Sequence, residues 1–379
     1  MSSFLRGAVA LLALAGGLAL AGPAAAASSP VVGHVYVDAN TAPVNTISGF
    51  DRHADGTLSP LPGSPFVAGG AGTGSSLASQ GAVQVSSDGR YVIAVDAGSN
   101  QISVLRIRRD GTLRLVPGSV VSSGGSEPVS VTEHAGLVYV ANAGSGGANY
   151  TGFVLSPGGR LTPLAGSTFA LPADAQPGDV LFNGTGTNLV GARVGTSAID
   201  SFQVGADGRL IAAPGSPFAA QGPGPFGSEF RPTDPSQLFV SNAHGDAGNG
   251  TVSAFSVASD GTLSSIGASP FADQQTAPCW VEISHDGSFL FTVNTASGSV
   301  SRYAIAPGGS LSLLGSTPIP GPSGAGAGDA RLSPDGQNLY VNEAAAGQIA
   351  EFAVNGGDLI PRGTVAVATG AGAAGLATN

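Results

Sequence analysis

The stretch FLFTVNTASGSVSRYAIAPGGSLSLLG, residues 289–315, decides the fold class of this chain. Apolar and polar residues alternate on both sides of a small polar turn from Asn294 to Gly298, and a second turn at Gly308 precedes a third short run. Alternation with a period of two residues is typical of half-buried β-strands. The stretch therefore predicts three antiparallel strands joined by two turns, a unit too small to bury its own faces.

The same unit occurs seven times along the chain. An Asp-Gly or Gly-Gly turn between the second and third runs marks each copy, at Asp55, Asp110, Gly158, Asp207, Asp260, Gly308 and Gly356. The period is therefore about 50 residues. One more short strand precedes every copy from the second onward and ends in turns such as VSSDGR (85–90), ISHDGS (283–288) and LSPDGQ (332–337). Four strands per repeat at this period predict the radially arranged blades of a β-propeller.

The two ends of the repeat array predict how the propeller closes. The first copy, which opens at His34, lacks its leading strand, while the chain ends with an orphan strand in GAAGLATN, residues 372–379. Because a closed ring removes exposed sheet edges, we expect this last strand to become the inner strand of the first blade. The sequence predicts one all-β domain over residues 28–379, a seven-bladed propeller with four-stranded antiparallel blades and almost no helix.

Composition and charge indicate an exported, acidic protein. Residues 1–27 carry one cation, Arg6, then an apolar run and small residues suited to cleavage, which is the pattern of a signal peptide. No cysteine stands near the cleavage site, so we expect a secreted, extracellular protein without a lipid anchor. The net charge of −10 and the lack of a basic cluster argue against nucleic acid or a membrane as partner. We expect a monomer.

Two residue types narrow the chemistry. The sequence contains no Lys, which excludes Schiff-base catalysis. Its single cysteine, Cys279, excludes an intrachain disulfide and lacks the His and Asn partners of a thiol nucleophile, so we expect Cys279 to be structural. The stability of the domain must then come from the stacking of its blades.

The repeats resemble those of a known family. Strand ends of the type LYVxN, the SPDG hairpin and the DGxL turns are similar to the YVTN-type repeats of lactonase-type seven-bladed propellers, which include bacterial 6-phosphogluconolactonase and fungal carboxymuconate cyclase. The resemblance covers the mature chain and implies a lactonase-like hydrolase or a cyclase-like lyase. It also implies His, Glu and Arg side chains in the central channel, with His near the inner-strand starts. Here those starts read GSEPVSV (125–131), PFGSEF (225–230) and APCWVEI (277–283), without His.

Propeller geometry predicts a ring of polar residues on one face. The inner strands start, and the second strands end, on the same face, which we call the funnel face and expect to bind the ligand. The residues aligned at the end of the second strand are Asp38, Asp96, Asn142, Arg193, Asn242, Asn294 and Glu343. We expect the Asn and Asp members to hydrogen-bond to their own turn backbone. Arg193 and Glu343 do not fit that role, so we predict that they contact substrate, with Asp96, Asn142 and Asn294 as further members of the binding set.

A second column of residues is predicted within the inner strands. The alignment places there Gln84, Ser130, Leu181, Glu229, Glu282, Arg331 and Gly375. Charges between packed blades are costly unless they are paired, which leaves two interpretations open: an inter-blade ion pair of Glu282 with Arg331, or a site. Glu229 has no assigned partner, although Arg193 in the preceding blade could reach it. Incomplete compensation would raise the pKa of Glu229 and suit it to acid or base catalysis.

Few other residues point to a site. His244 is the one histidine expected on the funnel face, in the oxygen-rich loop SNAHGDAGNG (241–250), whose spacing matches no calcium-loop pattern. Trp280, with Phe226 close by in the neighbouring blade, is expected to line the pocket mouth. We expect no cofactor; the alternative, suggested by other propeller lactonases, is an axial calcium ion held by Glu229, Glu282 and Asn or Asp groups of the ring.

Three functions remain open from the sequence. In a lactonase-like enzyme, Arg193 or Arg331 would hold a substrate carboxylate while Glu229, Glu282 or His244 moves the proton. The second is a non-catalytic extracellular propeller that binds a small molecule or a glycan on the funnel face. The third is a purely structural envelope protein.

Overall fold

The computed structural model describes residues 29–322, 326–368 and 372–379, so the predicted signal peptide lies outside the described residues. Within them the chain forms 33 strands and one short 3-10 helix, Ala97–Ser99. The strands form seven antiparallel sheets arranged as blades, which confirms the all-β seven-bladed propeller. No helix in the described ranges is long and apolar enough to cross a membrane.

The first three blades contain the following strands. Blade 1 holds β1 Val31–Asp38, β2 Thr46–His53, β3 Leu58–Pro60 and β4 Phe66–Val67. Blade 2 holds β5 Val83–Val85, β6 Tyr91–Asp96, β7 Gln101–Ile107, β8 Leu113–Leu115 and β9 Val121–Ser122. Blade 3 holds β10 Pro128–His134, β11 Leu137–Asn142, β12 Asn149–Leu155, β13 Leu161–Pro163 and β14 Phe169–Ala170.

The remaining strands form blades 4 to 7. Blade 4 holds β15 Pro177–Phe182, β16 Asn188–Arg193, β17 Ala198–Val204, β18 Leu210–Ala212 and β19 Phe218–Ala219. Blade 5 holds β20 Pro225–Arg231, β21 Asp234–Asn242, β22 Thr251–Val257, β23 Leu263–Ser265 and β24 Phe271–Ala272. Blade 6 holds β25 Pro278–Ile283, β26 Phe289–Asn294, β27 Ser299–Ile305 and β28 Leu311–Pro318. Blade 7 holds β29 Ala327–Leu332, β30 Asn338–Glu343, β31 Gln348–Asn355 and β32 Asp358–Ala366, and the last strand is β33 Gly375–Thr378.

The outer edge of the blades differs from the simple four-strand expectation. In blades 1 to 5 the outer position is divided into two short strands, both paired with the third strand of the blade. In blades 6 and 7 it is one continuous strand, β28 or β32. Short, interrupted edge strands limit pairing with other chains, so five of the blades carry a protected outer edge.

The C-terminal strand closes the ring as predicted. Strand β33 pairs antiparallel with β1, with Val35 opposite Thr378 and Asp38 opposite Gly375. Beyond the strand, the backbone amide of His34 donates to the carbonyl oxygen of Asn379 (3.2 Å), and the Asn379 amide donates to the His34 carbonyl oxygen (3.0 Å). The first blade is therefore built from both ends of the described chain.

One hydrogen bond recurs at every interface between neighbouring blades. A side-chain donor of one blade reaches a backbone carbonyl in the recurrent Asp-Gly or Gly-Gly turn of the next blade. The seven pairs are Tyr36 Oη to Gly111 O (2.8 Å), Tyr91 Oη to Pro157 O (2.9 Å), Tyr139 Oη to Gly208 O (2.9 Å), Ser201 Oγ to Gly261 O (2.6 Å), Gln237 Nε2 to Pro307 O (3.0 Å), Arg302 Nη1 to Gly357 O (3.1 Å) and Tyr340 Oη to Gly56 O (3.0 Å). The recurrent turn of each blade therefore accepts a hydrogen bond from a side chain of the preceding blade.

Leu376→Ala should destabilise the protein, because Leu376 in β33 is fully buried against the first blade. Removing a buried Leu side chain costs about 2–5 kcal/mol through lost burial and the cavity that remains. Leu314→Ala is the matched control, since Leu314 lies on the outer strand of blade 6 and is 47% exposed. Urea unfolding should show a clear loss of unfolding free energy for the first variant and little change for the second. Equal stabilities would contradict closure by β33.

Candidate functional site

The inner strands leave backbone amides unpaired at the axis, and side chains of the preceding blade accept their hydrogen bonds. The donor–acceptor pairs are Val180 N to Ser130 Oγ (3.2 Å), Phe182 N to Thr132 Oγ1 (3.3 Å), Ser228 N to Asp179 Oδ2 (3.0 Å), Leu332 N to Glu282 Oε2 (3.0 Å) and Leu376 N to Asp329 Oδ2 (3.2 Å). Because buried amides need partners, these polar residues have a structural use.

The ion pair expected between blades 6 and 7 is present. Arg331 Nη1 lies 2.5 Å from Glu282 Oε1, and both side chains are largely buried. Asp329 adds a second carboxylate 3.9 Å from the same guanidinium nitrogen. Burial raises the pKa of Glu282, and the Arg331 charge and the Leu332 amide oppose that rise. Both carboxylate oxygens of Glu282 are therefore bonded to blade 7, Oε1 to Arg331 and Oε2 to the Leu332 amide.

The register corrects two members of the predicted inner-strand column. The residues opposite the same position of the second strand are Gln84, Thr132, Leu181, Glu229, Glu282, Arg331 and Thr378. Ser130 and Gly375 were wrongly aligned. The hairpin of blade 3 turns at Ala135 and Gly136 instead of a longer Asp-Gly loop, and β33 has no hairpin to align.

Glu229 is the exception among the axial acids. It is half-buried on β20, and no side chain of the described residues forms a hydrogen bond or an ion pair with its carboxylate. Burial and the negative charge of Glu282 raise the pKa of Glu229 well above its ordinary value, while the Arg331 charge opposes this. The raised pKa of Glu229 agrees with the expectation from the sequence, because the Arg331 charge only partly offsets the effects of burial and of Glu282.

Arg193 does not reach Glu229, which corrects that part of the prediction. Its Nε and Nη2 atoms donate to the two carboxylate oxygens of Asp200, at 2.6 and 2.5 Å, across the hairpin of the same blade. Tyr150 of blade 3 also donates to Asp200 (3.0 Å). Both members of the pair are buried. Arg193 is thus held by a bidentate ion pair and is not free to bind a substrate carboxylate.

The ring of polar residues lies where predicted, at the last residue of the second strand in all seven blades. Its bonding differs from the expectation. Asp38 accepts from the amide of Asn40 in its own turn (2.9 Å). The other ring members bond to side chains of the third strand or its preceding loop: Asp96 with Ser103 and Asn45, Asn142 with Asn149, Arg193 with Asp200, Asn242 with Thr251 and Ser253, Asn294 with Ser299 and Ser301, and Glu343 with Gln348. In blades 2 to 7 the ring joins strands two and three, and the hydrogen bond of Asn45 to Asp96 also joins blade 1 to blade 2.

A segment of chain crosses the axis on the funnel side, and no sequence pattern predicted it. We call residues 77–81 the axial segment. Its Gln80 donates through Nε2 to the Ser228 carbonyl oxygen (2.8 Å) and accepts through Oε1 from the Val281 amide (3.0 Å), so it spans from blade 2 to blades 5 and 6. The Trp280 indole nitrogen donates to the Ser79 carbonyl oxygen (2.8 Å). Ser79 and Gln80 are fully buried, so this segment closes the channel.

The axial segment separates the predicted site residues into two places. Gln80 bonds at Ser228 and Val281, one residue nearer the funnel face than Glu229 and Glu282. His244 lies on the funnel face as expected, so the structure does not bring it together with the axial carboxylates.

The funnel face carries a cavity of about 500 Å³ beside the axial segment. We call it the funnel pocket. Its floor is apolar and buried, and its rim is polar and exposed. The floor is formed by Leu77, Val129, Val194 and Phe226, and the polar rim includes Glu127, Gln176 and His244. An apolar cavity with a few convergent polar groups is the usual form of a small-molecule site.

Two rim residues were missed by the sequence analysis. Glu127 and Gln176 stand immediately before the prolines that open β10 and β15, and both adopt positive φ, 52° and 44°. The same conformation recurs before the inner strands of blades 5, 6 and 7, at Gly224, Ala277 and Gly326, so it belongs to the propeller repeat. The signal available was the Glu-Pro and Gln-Pro steps at equivalent strand starts.

Phe226 and Trp280 meet as predicted. Their rings contact edge to face, with centroids 5.3 Å apart and planes at 70°. Trp280 is buried and lines a neighbouring cavity of about 310 Å³, while Phe226 lines the funnel pocket. The pair forms part of the wall between the two cavities.

His244 is held by its backbone while its ring stays exposed. Its amide donates to the Pro223 carbonyl oxygen (3.1 Å). Gly224, with φ +62°, lies against the ring: a Cβ atom there would come within 2.4 Å of His244 Cγ. Any side chain at position 224 would collide with the imidazole, so glycine there allows the ring to lie beside the pocket.

Two further expectations concern metal and thiol chemistry. Within the described ranges, no group of three or more His, Cys, Asp or Glu side chains is arranged to hold a metal ion. Glu282, a proposed calcium ligand, is bonded to Arg331 and Leu332 instead. Cys279 is buried, and burial raises the pKa of its thiol to about 11, which disfavours the reactive thiolate.

Comparison with known proteins places the chain in a family. The family profile "Lactonase, 7-bladed beta-propeller" matches residues 43–153 and 221–373, well over half of the sequence. The chain belongs to this family. No curated protein matches the sequence with significance.

Solved structures share the fold at low identity. A proposed 6-phosphogluconolactonase from Bacteroides uniformis is 21% identical, with 92% of this chain and 99% of that chain covered and a TM-score of 0.73. The periplasmic gluconolactonase PpgL of Pseudomonas aeruginosa is 18% identical, with 91% and 98% covered and a TM-score of 0.70. A protein of unknown function from Desulfotomaculum acetoxidans is 17% identical, with 91% and 98% covered and a TM-score of 0.69. These likenesses show a common fold.

Replacing Asp38 with Asn should stabilise the protein more at alkaline than at acidic pH. Burial raises the pKa of Asp38 to about 8. In the unfolded chain the carboxyl ionises near its ordinary value of about 4. The folded state therefore keeps a proton that the unfolded state has lost, and stability falls as pH rises between these values. Asn already occupies the equivalent ring position in blades 3, 5 and 6.

Thermal unfolding at pH 5 and pH 8 tests this effect. The fall in Tm between the two pH values should be smaller for Asp38→Asn than for the wild type. Asp246→Asn, at an exposed loop position, controls for the loss of one negative charge and should follow the wild type. An identical pH dependence of Asp38→Asn and the wild type would show that Asp38 is ionised in the folded protein.

Proposed function

We propose that this protein is an exported lactonase that hydrolyses a small, uncharged lactone in the funnel pocket. The observation that carries the proposal is the apolar-floored cavity of about 500 Å³ with His244 on its polar rim, in a chain that belongs to the lactonase propeller family. The names of two structural neighbours, a proposed 6-phosphogluconolactonase and a gluconolactonase, support a lactone as the substrate class.

His244 is the group best suited to move a proton in this pocket, because an imidazole nitrogen can both accept and donate a proton. In the proposed reaction its ring takes a proton from water as the water oxygen bonds to the lactone carbonyl carbon. The bond between that carbon and the ring oxygen then breaks, and the ring oxygen takes up the proton to give a hydroxy acid. The Gln176 amide is a donor on the rim for the carbonyl oxygen, where negative charge develops.

The charges around the funnel pocket favour an uncharged substrate. Its described lining contains no Arg, and the sequence contains no Lys. Glu127 and the net charge of −10 would repel an anionic ligand. Arg193 and Arg331, the residues expected to hold a substrate carboxylate, are committed to Asp200 and Glu282. A phosphorylated or carboxylated lactone would therefore find no counter-charge.

Export is part of the proposal and rests on the sequence of residues 1–27, with its single Arg6, its apolar run and its small residues before the mature chain. The absence of a phosphate-binding cation in the funnel pocket agrees with this location in physical terms. Phosphorylated sugars are retained inside cells by their charge, whereas uncharged lactones are available outside.

Turnover by the mature protein tests the proposal. An uncharged aldonolactone should be hydrolysed above the spontaneous rate, with kcat/KM at least about tenfold higher than for its phosphorylated counterpart, which lacks a paired charge. His244→Gln should lower kcat by about 10²- to 10⁴-fold, as expected for a lost acid–base group. His285→Gln, at an exposed position on the opposite face, is the matched control and should retain activity.

Two results would overturn the lactonase proposal. One is no turnover above background for a broad lactone panel, with a glycan binding at the funnel pocket instead, which would favour the non-catalytic binding propeller. The other is full activity of His244→Gln, which would remove the proposed proton carrier. A preference for the phosphorylated lactone would contradict the proposed substrate charge alone.

A further inference from the structure

A third, smaller cavity lies on the funnel face between blades 6 and 7, next to the cavity lined by Trp280. It has a volume of about 260 Å³ and is lined by Thr295, Ala296, Ser297, Gly298, Ile319, Gly321, Pro322, Gly326, Ala327 and Glu343. None of these residues lines the funnel pocket. We call it the Glu343 cavity, because Glu343 is its one charged lining residue in the part of the chain that the structure describes.

Glu343 lines this cavity and carries an unsatisfied carboxylate oxygen. The residue is fully buried, at 0% exposure. Its Oε2 accepts a hydrogen bond from Gln348 Nε2 (3.0 Å), whereas its Oε1 has no hydrogen-bond partner among the described residues. An unpaired buried carboxylate oxygen is costly, since its hydration is lost without replacement. The cost falls when a ligand brings a donor, and most of all a positive charge.

A neighbouring hydroxyl has the same deficiency. Thr295 Oγ1 is buried, lines the Glu343 cavity next to the Cys279 thiol and accepts no hydrogen bond from the described residues. Gly321, with φ +136°, lies so close to Glu343 that a Cβ atom there would come within 2.6 Å of Oε2. Glycine thus lets the chain pack against the Gln348 side of the carboxylate, nearer to Oε2 than to Oε1.

We infer that the Glu343 cavity binds a small organic ammonium ion, with Glu343 Oε1 and Thr295 Oγ1 accepting its N–H hydrogen bonds. The ligand class follows from the lining. One carboxylate compensates one positive charge, and the acidic protein as a whole attracts cations. A divalent metal ion requires a richer set of oxygen ligands than this cavity supplies. The inference is independent of the proposed lactonase activity, because it concerns other residues and another cavity.

Titration with ethylammonium chloride tests the inference, followed by protein-observed NMR or calorimetry at constant ionic strength set with sodium chloride. The wild type should bind saturably, with a Kd on the order of millimolar, as expected for a small ligand held by few contacts. Glu343→Gln keeps the size and removes the charge, and should weaken binding at least about tenfold. Asp246→Asn removes an exposed carboxylate from the same face and should bind like the wild type.

Ethanol, a neutral probe of similar size, should not compete with ethylammonium in the wild type. The inference is overturned if the wild type shows no saturable binding up to about 100 mM, far above a millimolar Kd, or if Glu343→Gln binds equally well. Should Glu343→Gln fail to fold, Thr295→Val decides: weaker binding supports the site, and unchanged binding overturns it.

Discussion

The unpaired backbone edge of the inner strands is the constraint on which the centre of this propeller depends. Seven strands present amides to a common axis, and each buried amide needs an acceptor. Hydroxyl and carboxylate side chains of the preceding blade supply it, as Asp179 does for Ser228 and Glu282 does for Leu332. The acidic groups at the axis are therefore explained by the geometry of the ring before any ligand is considered. The guanidinium of Arg331 then compensates part of the negative charge that these carboxylates bring to the axis.

The axial segment determines where a ligand can bind. By filling the funnel end of the channel, Ser79 and Gln80 separate the axial carboxylates from the funnel face. Leu77 and Ala78 of the same segment line the funnel pocket. The pocket is left with an apolar floor, a histidine and no cation. The charged residues at the axis had indicated a site for a charged substrate. The lining of the funnel pocket suits a neutral, partly apolar molecule instead.

Repetition explains what the sequence could predict. Seven copies of one pattern predicted the blade count, the closing strand and the strand-end ring, because the strand positions in each copy could be checked against the other six. The Glu282–Arg331 ion pair was one of two interpretations that the sequence left open, and the structure contains it. Features outside the repeat were missed: the axial segment has no periodic pattern. Arg193 was assigned to Glu229 although Asp200, seven residues further on, lies directly across the hairpin from it in the folded blade.

Turnover of Glu229→Gln tests most directly the claim that the axis holds the ring together while the funnel pocket carries the chemistry. Glu229 is the axial carboxylate without a side-chain partner among the described residues, so it is the strongest remaining candidate for axial catalysis. The account predicts that the variant folds and keeps its kcat/KM for an uncharged lactone within about twofold, well below the loss expected for a missing acid or base. A loss of about 10²-fold or more in a variant with unchanged Tm would contradict it and return catalysis to the axis.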